Sequence, residues 1–226
     1  MDQIAGVILD LDGLMLDTER VARRAWRRAA EHFGKTIDDP LYDRIIGRTE
    51  RDTGRILVRA LGDDFPYDEA RRRQQAIMDA IIETEGLEWK PGLADLLRTM
   101  ETLDLAVAVA TSSGRASARR KLSAAGLEAK FPTLVCGDEV AAGKPAPDIF
   151  VEAARRMTIP PRRCVVLEDS HAGAQAARAA SMRVIVIPDL NPPSLETTEI
   201  AWKVLPSLED AARFLAVECQ KKVRNG

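Results

Sequence analysis

Four carboxylates follow short apolar runs of the sequence, at the points where parallel strands would end. Asp10 and Asp12 follow the first run, and Glu168 and Asp169 follow a later one. Carboxylates that converge on one point repel each other unless a cation binds between them. Hard oxygen ligands without histidine or cysteine favour Mg²⁺ over zinc or copper. One aspartate in such a site can attack phosphorus, and a second carboxylate two residues on can act as general acid and base.

Two hydroxyl groups and one lysine are expected at the same place. Thr111 and Ser112 follow another apolar run, and Lys144 lies between the third run and the next helical stretch. Hydroxyls, backbone N–H groups and a lysine ammonium are suited to phosphate oxygens. The Thr111-Ser112 pair could equally start a helix, where anions also bind. Together these residue types indicate chemistry on a phosphorylated molecule.

The elements that must position these groups alternate between strands and helices. Uninterrupted apolar strands alternating with helices indicate a parallel sheet covered on both faces, and right-handed crossovers bring the strand carboxyl ends to one edge. The predicted fold class is therefore α/β, with a Rossmann-like parallel sheet core. The five apolar runs are Ile4 to Leu9, Leu105 to Ala110, Leu134 to Cys136, Cys164 to Leu167 and Val184 to Ile187.

One long region interrupts this alternation, because it contains helical patterns and no convincing strand. We predict that residues 18–88 form a small all-helical domain inserted after the first strand, and that residues 1–17 and 89–226 form the α/β core. The helical stretches are expected from Thr18 to about Phe33, around Ile45 and Arg55 to Leu61, and from about Asp68 to Ile82.

Composition and charge exclude several classes of protein. The chain has 226 residues, 46% hydrophobic and 30% charged, which suits a globular protein with a sizeable core. Its 33 basic and 35 acidic residues and 4% aromatics disfavour nucleic-acid binding. No apolar run reaches the roughly 18 residues that span a bilayer, and no signal-peptide pattern opens the chain. The three cysteines form no close pair in the sequence, so we expect reduced thiols in a cytoplasmic protein. No obligate protein partner is expected.

The residues at the predicted sheet edge carry a resemblance to a known family. Asp10-Leu11-Asp12-Gly13, with Asp17-Thr18-Glu19, resembles the first motif of the haloacid dehalogenase-like (HAD) superfamily. Thr111-Ser112 resembles its second motif, Gly143-Lys144-Pro145 its third, and Leu167-Glu168-Asp169-Ser170 its fourth. The helical insert resembles the family's small cap domain. Within the superfamily, the chain is similar to the β-phosphoglucomutase-like phosphatases.

The resemblance implies roles for the matching acidic residues. Asp10 would be the nucleophile and a metal ligand. Asp12 would be the general acid and base, with its backbone carbonyl on the metal. Asp169 would complete the protein ligands of Mg²⁺, with Glu168 beside it, bound to the metal directly or through water.

The resemblance also implies residues that hold the substrate. Thr111, Ser112 and Lys144 would bind the phosphoryl group that is transferred. Gly47 and Arg48 lie between predicted cap helices, where the family often places residues that face the substrate. The alternative interpretation is that Gly47 is a loop glycine and Arg48 a surface arginine, with no contact to the substrate.

The predicted function is that of a Mg²⁺-dependent phosphatase. It would hydrolyse a small phosphorylated metabolite, a sugar phosphate or a nucleotide-like ester, through an aspartyl-phosphate. A phosphomutase of the β-phosphoglucomutase type is the alternative, because it shares the first motif. Glu19 and Ala22 stand where the mutase pattern has alanine and histidine, and Gly114-Arg115 where it has Lys-Asn. Both departures favour hydrolysis.

Three further features are interpreted without a catalytic role. His171, which follows the fourth motif, is expected to be a bystander. The arginine clusters at residues 23–28 and 71–73 have acidic neighbours and indicate solvated, partly paired helix faces. A proline-rich loop at residues 187–193 is expected on the same sheet edge, with its role left open.

Overall fold

The structure is a computed structural model that describes residues 3–46, 50–190 and 192–220. The chain divides into two compact units. One consists of Met1–Leu16 and Glu88–Gly226, and the other of Asp17–Leu87. That the second unit acts as a cap stays a prediction.

The first unit is built on a six-stranded parallel sheet with the strand order β3-β2-β1-β4-β5-β6. The predicted α/β fold class is therefore confirmed. The short β6 was not predicted, because its two residues are half-buried or exposed and form no apolar run. The strands are β1 Gly6–Leu9, β2 Ala106–Thr111, β3 Thr133–Cys136, β4 Cys164–Glu168, β5 Arg183–Val186 and β6 Lys203–Val204.

Both faces of the central strands are buried, which explains their unbroken apolar sequences. Ile8 and Val166 belong to a cluster on one face, which includes Phe150 from a covering helix. Val7 and Leu9 are equally buried and, by the alternation of a strand, face the other side. The helices of this unit are α5 Leu93–Thr102, α6 Arg115–Ala124, α7 Asp148–Met157, α8 His171–Ala179, α9 Leu195–Ile200 and α10 Leu208–Gln220.

The second unit contains helices joined by turns and no strand among its described residues, and it has a core of its own. Trp26, Leu57 and Phe65 are buried there together. The helices are α1 Thr18–His32, α2 Asp39–Asp43, α3 Glu50–Leu61 and α4 Tyr67–Glu85. The expected helix around Ile45 is wrong, because α2 ends at Asp43 and Ile45 lies buried in the turn that follows.

The paired helix faces predicted for the arginine clusters are present in this unit. Arg24 pairs with Glu85, and Arg71 with Glu50. In the described part of the chain, no helix has the length and apolar character needed to cross a membrane.

Candidate active site

The carboxyl ends of β1, β2 and β4 lie side by side, because β1 is the central strand between the other two. Asp10 follows β1 directly, Thr111 ends β2 and Glu168 ends β4. The Asp10 N–H donates to the Leu167 carbonyl at 3.1 Å, which extends the pairing of β1 with β4. The chain leaves β1 toward β2 and returns on its other side at β4, and open α/β sheets bind ligands at such a point.

Lys144 joins the two carboxylates that end β1 and β4. Its Nζ lies 2.5 Å from Asp10 Oδ1 and 2.5 Å from Glu168 Oε1, and it donates to the Ala110 carbonyl at 3.3 Å. The lysine side chain is only 5% exposed. Burial pushes the pKa of Lys144 down, but the charges of Asp10 and Glu168 outweigh it and raise the pKa above its ordinary value. Lys144 is therefore an ammonium at neutral pH.

The carboxylates at this edge are more crowded than one ammonium can neutralise. Burial raises the pKa of Asp10 to about 7, with Lys144 opposing the rise and Glu168 and Asp12 adding to it. Burial, then the charges of Glu168 and Asp10, raise the pKa of Asp169 well above its ordinary value. Asp10, Glu168 and Asp169 each offer an oxygen, and these three atoms lie within 4.8 Å of one another.

The start of α8 is shaped around Glu168. Glu168 Oε2 accepts from the backbone N–H and the hydroxyl of Ser170, both at 2.8 Å. The same hydroxyl caps the helix by accepting from the Gly173 N–H at 3.1 Å. A Cβ on Gly173 would overlap the Glu168 carboxylate, so glycine is needed for this close approach.

The loop after β5 adds a carboxylate to the same neighbourhood. Gly13 has φ +80°, and a Cβ there would crowd Asp169 Oδ2 and lie 3.2 Å from Asp189 Oδ2. Asp189 Oδ1 accepts from the Lys90 ammonium. Asp189 Oδ2 is buried and has no hydrogen-bond partner among the described residues. The loop whose role the sequence left open thus places a buried carboxylate oxygen beside the acidic cluster.

These oxygens fit a divalent cation such as Mg²⁺. The side chains that come together here among the described residues are carboxylates, which suit a hard cation. Burial raises the pKa of Asp10 and of Asp169, and the neighbouring carboxylates raise it further. A bound cation would relieve the repulsion between these carboxylates. Asp10 and Asp169 would hold the ion, together with Glu168 directly or through water.

Asp12 lies in a separate set of contacts on the β2 side. Its Oδ1 accepts from Lys121 Nζ at 2.6 Å, and its Oδ2 accepts from the hydroxyls of Ser113 at 2.8 Å and Thr111 at 3.3 Å. The sequence places Ser113 at the same strand end as Thr111 and Ser112, but it predicts no role for Ser113 or for Lys121, because both lie outside the second motif. The spacing of Lys121 beside the apolar Ala118 and Leu122 predicts the buried face of α6, but it does not identify the partner of the lysine.

Thr111 and Ser112 differ in burial, and their binding of the phosphoryl group stays a prediction. Ser112 is exposed, while Thr111 beside it is buried. Gly47 and Arg48 lie outside the described residues, so their predicted contact with the substrate stays a prediction. His171 Nδ1 lies 2.7 Å from the Thr197 hydroxyl, a contact between helices that suits the bystander role.

Comparison with known proteins identifies relatives with this architecture. The family model of the haloacid dehalogenase-like hydrolases matches residues 4–181. A phosphorylated carbohydrates phosphatase of Thermotoga maritima is 34% identical over 82% of this chain and 86% of its own. The fructose-1-phosphate phosphatase YqaB of Escherichia coli is 36% identical over 81% of this chain and 96% of its own.

A solved structure has the same overall fold. CbbY from Rhodobacter sphaeroides in complex with phosphate matches with a TM-score of 0.76 and 28% identity, over 92% of this chain and 96% of that one. The predicted enzyme class, a haloacid dehalogenase-like phosphatase, is confirmed by the family match and the named relatives. The motif order, the sheet topology and these matches agree that the chain belongs to the haloacid dehalogenase-like hydrolase family.

Proposed function

We propose that this chain is a Mg²⁺-dependent phosphatase of small phosphate monoesters that works through an aspartyl-phosphate. One observation carries the proposal: Asp10 and Asp12 are two residues apart but have separate partners. Asp10 is buried against Lys144 beside two further carboxylates, whereas Asp12 contacts Lys121, Ser113 and Thr111. Two carboxylates in different surroundings can serve as nucleophile and as acid or base.

In the first step, a carboxylate oxygen of Asp10 attacks phosphorus and the bond from phosphorus to the ester oxygen breaks. The electron pair of that bond goes to the leaving oxygen, which takes a proton from the Asp12 carboxyl group. Lys144 donates hydrogen bonds at this position and offsets the negative charge of the transferring group.

In the second step, water attacks the phosphorus of the aspartyl-phosphate. Its proton passes to the Asp12 carboxylate, the bond between phosphorus and Asp10 breaks, and the electron pair returns to Asp10. Inorganic phosphate leaves, and both aspartates are restored. Mg²⁺, when bound by the acidic cluster, would neutralise phosphate charge.

Sugar phosphates are the favoured substrate class, with nucleotide-like esters as the other class to test. The two relatives named above are phosphatases of phosphorylated carbohydrates and of fructose 1-phosphate. Selection by residues of the helical unit, Gly47 and Arg48 among them, belongs to this proposal. A cytoplasmic location and the lack of nucleic-acid, membrane or obligate protein partners stay predictions.

The test is phosphate release from a panel of sugar phosphates and nucleotides, with Mg²⁺ added or removed by chelation. We expect turnover only with the metal, and none from Asp10→Asn. Asp95→Asn, which changes a half-exposed aspartate on α5, is the matched control and should keep full activity. Wild-type turnover by Asp10→Asn would overturn the assignment of the nucleophile.

A phosphomutase is the second candidate, because the contacts of Asp10 and Asp12 serve both reactions. It would return the phosphoryl group to another hydroxyl of the same sugar instead of passing it to water. Incubation with β-glucose 1-phosphate separates the two. Isomerisation without release of phosphate would replace the phosphatase proposal.

A further inference from the structure

Lys121 is a buried lysine that the reaction proposed above does not use. It is 6% exposed and lies on the inner face of α6. Its neighbours on that face, Ala118 and Leu122, are apolar core residues. Lysine is almost never fully buried unless its charge is paired. A leucine or methionine would fit the apolar face of this helix without the desolvation cost of a buried ammonium. The lysine therefore needs a specific partner.

Lys121 contacts the side chains of Asp12 and Ser113. Its Nζ lies 2.6 Å from Asp12 Oδ1 and 2.9 Å from the Ser113 hydroxyl oxygen. Ser113 in turn donates to Asp12 Oδ2 at 2.8 Å. The three groups form a closed triangle that holds both oxygens of the carboxylate. The Asp12 side chain is still 30% exposed, so its orientation is set while access from outside remains.

We propose that Lys121 is a positioning residue that holds Asp12 in the orientation needed for proton transfer. The inference rests on the proposed function, since it assigns Asp12 as acid and base. When Asp12 has given its proton to the leaving oxygen, the ammonium of Lys121 stabilises the carboxylate that remains. The proton of each step passes only between Asp12 and the leaving oxygen or water, and Lys121 takes no part in its transfer.

The test uses two esters whose leaving groups differ in their need for a proton. A sugar phosphate releases an alkoxide that requires the acid, whereas p-nitrophenyl phosphate releases a phenolate that does not. For Lys121→Met, we expect kcat/KM on the sugar phosphate to fall about 100-fold, the lower range of acid–base catalysis. Lys121→Arg should recover part of this loss, and Lys130→Met, an exposed lysine just beyond α6, should behave as wild type.

With p-nitrophenyl phosphate, the variant should release one equivalent of p-nitrophenolate in a burst and then turn over slowly. The burst would arise because the first step proceeds without the acid, while hydrolysis of the aspartyl-phosphate still needs Asp12 as a base. Ser113→Ala leaves the lysine in place and should produce a weaker form of the same pattern. This variant decides the question if the methionine variant does not fold.

Two results would overturn the inference. One is unchanged kinetics in the folded variants. The other is an equal loss on both esters without a burst, which a general structural defect would produce. Failure of the proposed function looks different, because the wild-type enzyme would then release no phosphate from either ester.

Discussion

The sheet edge of the α/β unit and the surface of the helical unit use charged residues in opposite ways. At the sheet edge, the side chains of Asp10, Lys144 and Glu168 are at most 9% exposed. On the helical unit, Arg24 and Glu85 pair at 2.7 Å, but their side chains are 43% and 49% exposed. Exposed pairs contribute little to stability, whereas each buried charge carries a large desolvation cost. The buried set therefore needs a function to explain it, and the exposed set does not.

The largest effect is expected from Lys144→Met, which removes the cation between Asp10 and Glu168. Two buried carboxylates would lose their partner, so we expect activity to fall at least ~1,000-fold and stability to fall by about 3–5 kcal/mol at pH 8. Denaturation by urea and phosphate release measure the two losses. Lys35→Met, which removes a pair on the helical unit, is the control and should change both only slightly. A stable, active Lys144→Met protein would mean that the buried charges at the sheet edge matter no more than the exposed pairs of the helical unit.

Gly173→Ala tests how closely α8 must approach Glu168. The added Cβ would overlap the Glu168 carboxylate, so we expect a loss of roughly 1–3 kcal/mol despite the better helix propensity of alanine. Chemical denaturation measures the stability, and phosphate release should fall with it. At Gly143 a Cβ would meet nothing within 4 Å, so Gly143→Ala is the matched control for stability. Equal stabilities of the two variants would argue against the tight packing.

The raised pKa of Asp10 predicts a pH dependence of stability in metal-free protein. Because its folded pKa is about 7 and its ordinary value is 3.8, the folded state binds the proton more tightly than the unfolded state. Stability from this group is present below pH 4 and is lost as the pH rises through about 7.

Without metal, the melting temperature should therefore decrease as the pH is raised from 5 to 8. The decrease should be smaller in Asp10→Asn. Mg²⁺ should raise the midpoint more at pH 8 than at pH 5.5, because it binds the ionised carboxylates. An equal effect of Mg²⁺ at both pH values would count against a metal at this cluster.

The smallest effect is expected from Glu85→Gln, which breaks the exposed pair with Arg24. Solvent and salt screen this pair, so the melting temperature and kcat/KM should remain almost unchanged. Melting curves at low and high salt check this. A large loss of stability would mean that the surface pairs of the helical unit matter more than their exposure indicates.

The parts of the structure that could be predicted from sequence are those encoded by local patterns. The buried strands were recognised because a strand covered on both faces must be apolar along its whole length, as at Val7, Ile8 and Leu9. The convergence of Asp10 and Glu168 followed from strand ends sharing one edge. β6 was missed and Ile45 was assigned to a helix, because a two-residue edge strand and a buried turn have no distinctive local pattern.

The sequence by itself determined the fold class, the order of the motifs and the meeting of Asp10 with Glu168 at the sheet edge. Only the tertiary structure decided that Lys121 pairs with Asp12 across 109 positions of sequence, and that Asp189 lies beside Gly13. The physical reason is that a strand or a turn depends on neighbouring residues, whereas the partner of a buried charge depends on how a helix packs against the sheet. A single lysine in an arginine-rich helix carries no periodic signal of the aspartate it will contact.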